Sequence, residues 1–249
     1  MQADSNASNP PSRPETPLTQ SPQRSETYYL ETVTFQVEDT LFKVPKVQFM
    51  RGSSIFRAMF SLPQSENGEG YAEGSSDLNP LKLEGVEKVD FERLLKVMYP
   101  HDVRAEWSHQ PNDTWVSVLK LSKMWNFYEL HSMAVETLTT ATMDPLDRII
   151  VAKTYKIPQW LRTGYNQLIT RENPLTPEEG AKVEMTTAMT IAQAREDFLR
   201  HQTGRYSTSF DTTYPDGYTV PISLEKLFGQ ELTVADLEHS YFMAGEFGE

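Results

Sequence analysis

The stretch Val33-Thr34-Phe35-Gln36-Val37-Glu38-Asp39-Thr40-Leu41-Phe42-Lys43-Val44 decides the fold. Val33, Phe35 and Val37 alternate with Thr34, Gln36 and Glu38, and the alternation resumes at Phe42 and Val44. A period of two means one face buried and one wet, so the stretch predicts a hairpin of strands 33–37 and 42–44 turning at Asp39-Thr40. Directly after it comes Ser53-Ser54-Ile55-Phe56-Arg57-Ala58-Met59-Phe60. Ile55, Phe56, Met59 and Phe60 make a helical stripe behind a serine cap, so a short helix follows the hairpin.

Outward from there, residues 61–80 hold Gly68, Gly70 and Gly74 among Ser, Glu and Asn, the composition of a long mobile loop. Leu81-Lys82-Leu83 reads as a short strand. Phe91, Leu94, Leu95 and Met98 fall at i, i+3, i+4 and i+7, an amphipathic helix stopped by Pro100, and a second loop covers roughly 100–112. From Asp113 the chain reads as five consecutive helices. The first carries Val118, Leu119, Leu121, Met124 and Trp125, and the second, after a break near Asn126, carries Leu130, Ala134 and Leu138. Leu146, Ile149, Ile150 and Ile157 belong to the third, and Pro158 opens a fourth with Leu161, Tyr165 and Leu168. Thr176-Pro177-Glu178-Glu179 is a capping box for a fifth that runs through Ala188, Ile191, Ala192, Arg195 and Phe198.

The two ends read differently. Residues 1–27 contain five of the sixteen prolines among Ser, Asn, Gln and Thr, too little apolar surface to offset ordering entropy, so they read as a disordered leader. Residues 203–249 carry two basic and eight acidic side chains, half of the net charge of −12. That stretch reads as an acidic, largely flexible tail, with Leu224 to Leu232 able to dock one or two helical turns.

Composition excludes several function classes. An acidic chain lacks the basic stripe that a nucleic-acid binder shows. No run approaches the ~18 apolar residues of a membrane span, and the leader has no signal-peptide core. The reading is therefore a soluble protein of the cytoplasm and/or nucleus, with the glycosylation patterns at Asn6 and Asn112 as accidents of spacing. With no cysteine there is neither a disulfide scaffold nor a thiolate metal site. The five histidines (His101, His109, His131, His201, His239) are scattered, none at the i, i+4 spacing of a helical metal pair. Neither GxGxxG, GxxxxGK[ST] nor GxSxG occurs. No catalytic, cofactor-binding or metal residue is therefore assigned, no cofactor is expected, and the chain is read as a non-enzyme. Trp107, Trp115, Trp125, Phe127 and Tyr128 fall at helical spacing without clustered polar partners and read as core rather than as a ligand cage.

The order of hairpin, helix, strand and helical pairs resembles the BTB/POZ fold. Val33 to Lys46 and Phe56-Arg57-Ala58-Met59-Phe60 resemble its opening, and Phe91-Glu92-Arg93-Leu94-Leu95-Lys96-Val97-Met98-Tyr99 its central helix. Val118 to Leu138 resembles the closing helical pair. The following helices, with Ile157-Pro158-Gln159-Trp160-Leu161 and Leu175 to Gly180, are similar to the extension of BTB proteins common in mushroom-forming (basidiomycete) fungi. The resemblance implies an α+β fold, a BTB/POZ domain over 28–140 followed by an all-α extension over 144–202. It implies a protein–protein interaction module acting as adaptor or scaffold, able to homodimerise, with a cullin-type ubiquitin ligase among the partners. A transcription-associated scaffold is the alternative, with Phe210, Tyr214, Tyr218 and Phe242 among tail carboxylates as an activation segment. Two positions depart from the family: Thr32 stands where it usually has Asp, and Pro45 where it usually has His. In corepressor-recruiting members that Asp and the basic residue matching Lys46 form a charged pocket; here Lys46 stays and only neighbouring Glu31 could replace the acid. The apolar-x-Glu motif of cullin-binding members has only Arg104-Ala105-Glu106 as a poor counterpart. Binding is therefore expected to rest on apolar contacts, at the edge of the domain or on its extension.

Overall fold

The structure is a computed structural model and describes residues 23–62, 73–100, 110–202, 212–213, 219–220 and 223–245. Residues 1–22 of the expected leader, half of the first loop, most of the second, much of residues 203–222 and residues 246–249 lie outside these residues.

Strands β1 (Thr32–Val37) and β2 (Thr40–Pro45) pair antiparallel, with Phe35 opposite Phe42 and Val33 opposite Val44. The turn is one residue earlier than expected, at Glu38-Asp39, and Glu38 takes the left-handed φ of 53° that so tight a hairpin demands. Helices α1 (Val47–Gly52) and α2 (Ser54–Ser61) follow. Sequence reading missed α1, six residues being too short to show a period. Ser53 caps α2, its Oγ accepting from Phe56 N at 3.2 Å and donating to Trp125 O across the core. Of the α2 stripe, Phe56 is buried and Ile55 faces out.

Beyond the undescribed residues the expected loop is pinned rather than free. Gly74 O accepts from Thr34 N at 2.8 Å on the edge of β1. Its φ of +80°, with Val33 Cγ2 2.7 Å from where a Cβ would stand, leaves room only for glycine. Strand β3 (Leu81–Lys82) then lies parallel to β1, giving the sheet order β2-β1-β3. Helix α3 (Lys88–Met98) buries Phe91, Leu94 and Val97, with Leu95 and Met98 on its flank. Phe35, Phe42, Phe49, Phe56, Phe91 and Trp125 pack ring to ring between sheet and helices.

Helices α4 (Asn112–Met124) and α5 (Tyr128–Thr140) form a hairpin whose break is Asn126, at φ 54°. Met124, expected inside, is exposed. Buried Asp90 clasps α3 to α4, accepting from Lys120 Nζ at 2.6 Å and Ser117 Oγ at 2.7 Å.

The extension continues with α6 (Pro145–Tyr155), α7 (Pro158–Thr170), α8 (Pro177–Lys182) and α9 (Met185–Gln202). Ile157 caps α7 instead of belonging to α6. The fifth helix of the sequence reading is two: the capping box at Thr176 and Glu179 is present, but it starts α8, which ends at extended, buried Val183. Helix α6 packs along α7 and touches α4, tying extension to α/β unit. Gly164 permits that approach, since a Cβ there would stand 2.5 Å from Ile149 Cγ1.

Strands β4 (Thr212–Thr213) and β5 (Thr219–Val220) make a small pair. The largest departure from expectation follows: α10 (Leu224–Ala244), kinked at Phe228, is far longer than the one or two turns foreseen. Leu224, Phe228, Leu232 and Ala235 bury one face of it, and it packs on α7. No helix among the described residues is long and apolar enough to cross a membrane.

Candidate interaction site

The expected charged pocket sits where β1 begins and β2 hands over to α1. Lys46 N donates to Glu31 O at 2.8 Å, which brings the two chain segments side by side. Lys46 Nζ then reaches Glu31 Oε2 at 3.3 Å and lies 5.5 Å from the Phe60 ring centre. The acid absent at Thr32 is thus supplied one residue earlier. Glu31 is 79% exposed, so the pair is a screened surface contact rather than a buried clamp. Pro45, in the histidine's place, offers its carbonyl to Tyr99 Oη at 2.6 Å.

Two of the scattered histidines meet. His131 on α5 and His239 on α10 have ring centres 6.4 Å apart, and Phe242 lies 4.6 Å from His131. Burial, then the charges of His239 and Lys123, push His131 down to about 4. No group of three or more His, Cys, Asp or Glu among the described residues could hold a metal ion. His101, His109 and the His201 side chain lie outside the described residues. Trp115, Trp125 and Phe127 are buried in the core, where they were expected; Tyr128 is half-buried against Phe242, and Trp107 is not described. Of the proposed activation segment, Phe210, Tyr214 and Tyr218 are undescribed, whereas Phe242 is half-buried and packed.

Among the described residues, large apolar side chains are exposed both between Tyr28 and Met124 and on α9 and α10. On α10, Val234, Leu237 (66% exposed) and Tyr241 (85%) fall at i, i+3 and i+7, opposite the face that docks. On α9, Met185 and Met189 are exposed one turn apart. Sequence reading missed the α10 stripe, although its helical spacing is visible in the residues. Contiguous exposed apolar surface is what protein partners use. Ion pairs also bridge α10 to its neighbours: Arg162 grips Asp236 with two bonds, 3.1 and 2.8 Å, and Glu225 at 3.2 Å. Lys153 meets Glu231 at 3.0 Å.

Comparison with curated proteins returns no match. The family model of the BTB/POZ domain matches residues 22–142, which enclose the sheet and α1 to α5. Residues 22–142 therefore have the fold of a BTB/POZ domain, a protein-interaction module, and a C-terminal helical region follows them.

Proposed function

We propose that the chain is a non-enzymatic adaptor or scaffold that associates through its BTB/POZ domain and recruits a partner on its helical extension. The observation that supports this is the Val234, Leu237 and Tyr241 stripe, exposed on a helix whose opposite face is anchored to α7. The Glu31–Lys46 pair serves as rim. Homodimerisation and recruitment to a cullin-type ubiquitin ligase belong to the same reading, as does a place among the BTB proteins of mushroom-forming fungi, working in the cytoplasm and/or nucleus. Full-length protein would be crosslinked and co-purified with partners identified by mass, beside Leu237→Glu/Tyr241→Glu and Lys46→Ala. The double variant should lose the partner at least tenfold while keeping its own oligomeric state in light scattering. A partner retained by the double variant and lost by Lys46→Ala would overturn the assignment of the surface. A purified cullin amino-terminal domain tests the ligase role directly, and absence of binding would reject it.

A further inference from the structure

Four buried side-chain atoms among the described residues lack a hydrogen-bond partner: Trp115 Nε1, His131 Nε2, Arg148 Nε and Asn166 Oδ1. Two of the four belong to residues lining a single cavity of about 720 Å³, between the end of α5 and helices α6, α7 and α10. Arg148 is 6% exposed and Asn166 4%. Natural interiors rarely leave such groups unmet without a reason.

Arg148 also has a structural role. It donates from its two terminal nitrogens to Leu138 O at 3.3 Å and Ala141 O at 2.9 Å, capping the carboxyl end of α5. That occupies two of its five N–H groups and supplies only the partial charge of a helix end. No carboxylate among the described residues pairs with it. The cavity's other charges cancel, Asp236 being bound twice over by Arg162. Among the described residues the cavity thus holds an uncompensated cation, in a chain of net charge −12. Trp160 lines it too, pinned through Nε1 to Thr139 Oγ1 at 2.7 Å and placed 5.8 Å from the Arg148 guanidinium.

These demands define an occupant. It carries a carboxylate for the guanidinium, a short apolar stem for Trp160, and an N–H donor for Asn166 Oδ1. A bare phosphate has no apolar stem. An acidic residue inside a peptide has all three, and a volume near 720 Å³ lies within the ~300–1,000 Å³ of small-ligand sites. We propose that this cavity is a docking pocket for an acidic side chain, aspartate or glutamate, presented by an extended segment of a protein partner. The proposal rests on the interaction-module reading and places a second contact beside the α10 stripe.

The test uses the full ¹⁵N-labelled chain and two probes, N-acetyl-glutamate N-methylamide and its neutral twin N-acetyl-glutamine N-methylamide. The side-chain N–H signals of Arg148 and Trp160 should shift saturably with the first and at least tenfold more weakly with the second. Sodium acetate should also be tenfold weaker, because it lacks the donor; equal binding by acetate would overturn the peptide source. Arg148→Gln should abolish the shift at Trp160. Because Arg148 also caps α5, Thr163→Phe, on the cavity wall, gives an independent block that leaves the guanidinium in place. Absent shifts, or shifts indifferent to the probe's charge or to both variants, would overturn the pocket. Retained loss of partner in the α10 double variant would then show that the module reading survives without it.

Discussion

Phe228→Ala should release α10 from the extension while leaving the BTB/POZ domain folded. Phe228 stacks on Tyr165 with ring centres 4.0 Å apart and planes 10° from parallel, and it is 6% exposed. Truncating a buried phenylalanine costs ~3–5 kcal/mol. Against this stands what docks α10: Leu224 and Leu232, each contributing about 1.5–3 kcal/mol by burial, with Ala235 and ion pairs of small net worth. Most helical stability in proteins comes from tertiary packing of an apolar face, so a detached α10 loses its main support. At 1.36 kcal/mol per decade, amide protection over 224–244 should fall by a factor of roughly a hundred to several thousand. Hydrogen exchange read by mass spectrometry on the full chain gives this directly, with α3 peptides as the internal reference. Tyr165→Phe should do less, about 1.5–3 kcal/mol, because it keeps the stack and loses only the bond from Tyr165 Oη to Glu231 Oε2. Protection over 224–244 unchanged within about threefold would refute the docking account. So would an equal loss in α3, which would mean that the domain had unfolded as a whole.

Leu94→Ala, at a position with no exposure in the ring-packed core, should cost ~2–5 kcal/mol in urea unfolding, and a loss under about 0.5 would show α3 to be wrongly placed. Gly164→Ala should destabilise by ~1–3 kcal/mol despite a better helix propensity, because its Cβ meets Ile149; adding Ile149→Ala should make the two costs clearly less than additive in a double-mutant cycle. Lys46→Ala should change partner affinity by no more than about threefold, since its acid is exposed and the pair screened, as binding titrations would show. His131 favours its neutral ring when folded, so the unfolded chain binds the extra proton below pH 6.5. Stability present above 6.5 is therefore lost as pH falls toward about 4, by about 3 kcal/mol, and His131→Gln should flatten that part of the curve in denaturation measured across the window.

What the residues disclosed and what they hid divide along a physical line. The β1–β2 hairpin, α3, the caps at Ser53 and Thr176 and the start of α7 at Pro158 were legible because each signal is local: an alternation, a stripe, one side chain beside the amide it serves, or a proline at the first helical position. The break at Val183 was not, because a buried valine looks the same inside a helix as between two. The charged pocket was half legible. Position-by-position reading saw the acid missing at Thr32, whereas the backbone bond from Lys46 to Glu31 carries the neighbouring acid into its place. Arg148 gave no signal, lying among Leu146, Ile149 and Ile150 as one more charge on a helix; only the fold shows that it is buried without a counter-ion among the described residues.

The acidic carboxyl-terminal region shows how composition misleads. Its excess charge read as a solvated tail, and its aromatics among carboxylates read as an activation segment. An activation segment must offer both to a partner at once. Here Glu225 and Asp236 are held by Arg162, and Glu231 by Lys153 and Tyr165, so three of the eight acids are turned toward the extension. Phe242 is packed on Tyr128 and His131. Presenting these groups would require α10 to leave α7, against the burial of Leu224, Phe228 and Leu232. That burial takes only four inward positions, spaced i, i+4, i+8 and i+11, in a helix whose other faces remain free to be acidic. The charge of Glu225, Glu231, Asp236 and Glu238 therefore belongs to a folded helix, and the other four acids lie outside the described residues. The surface α10 leaves for a partner is the apolar stripe of Val234, Leu237 and Tyr241.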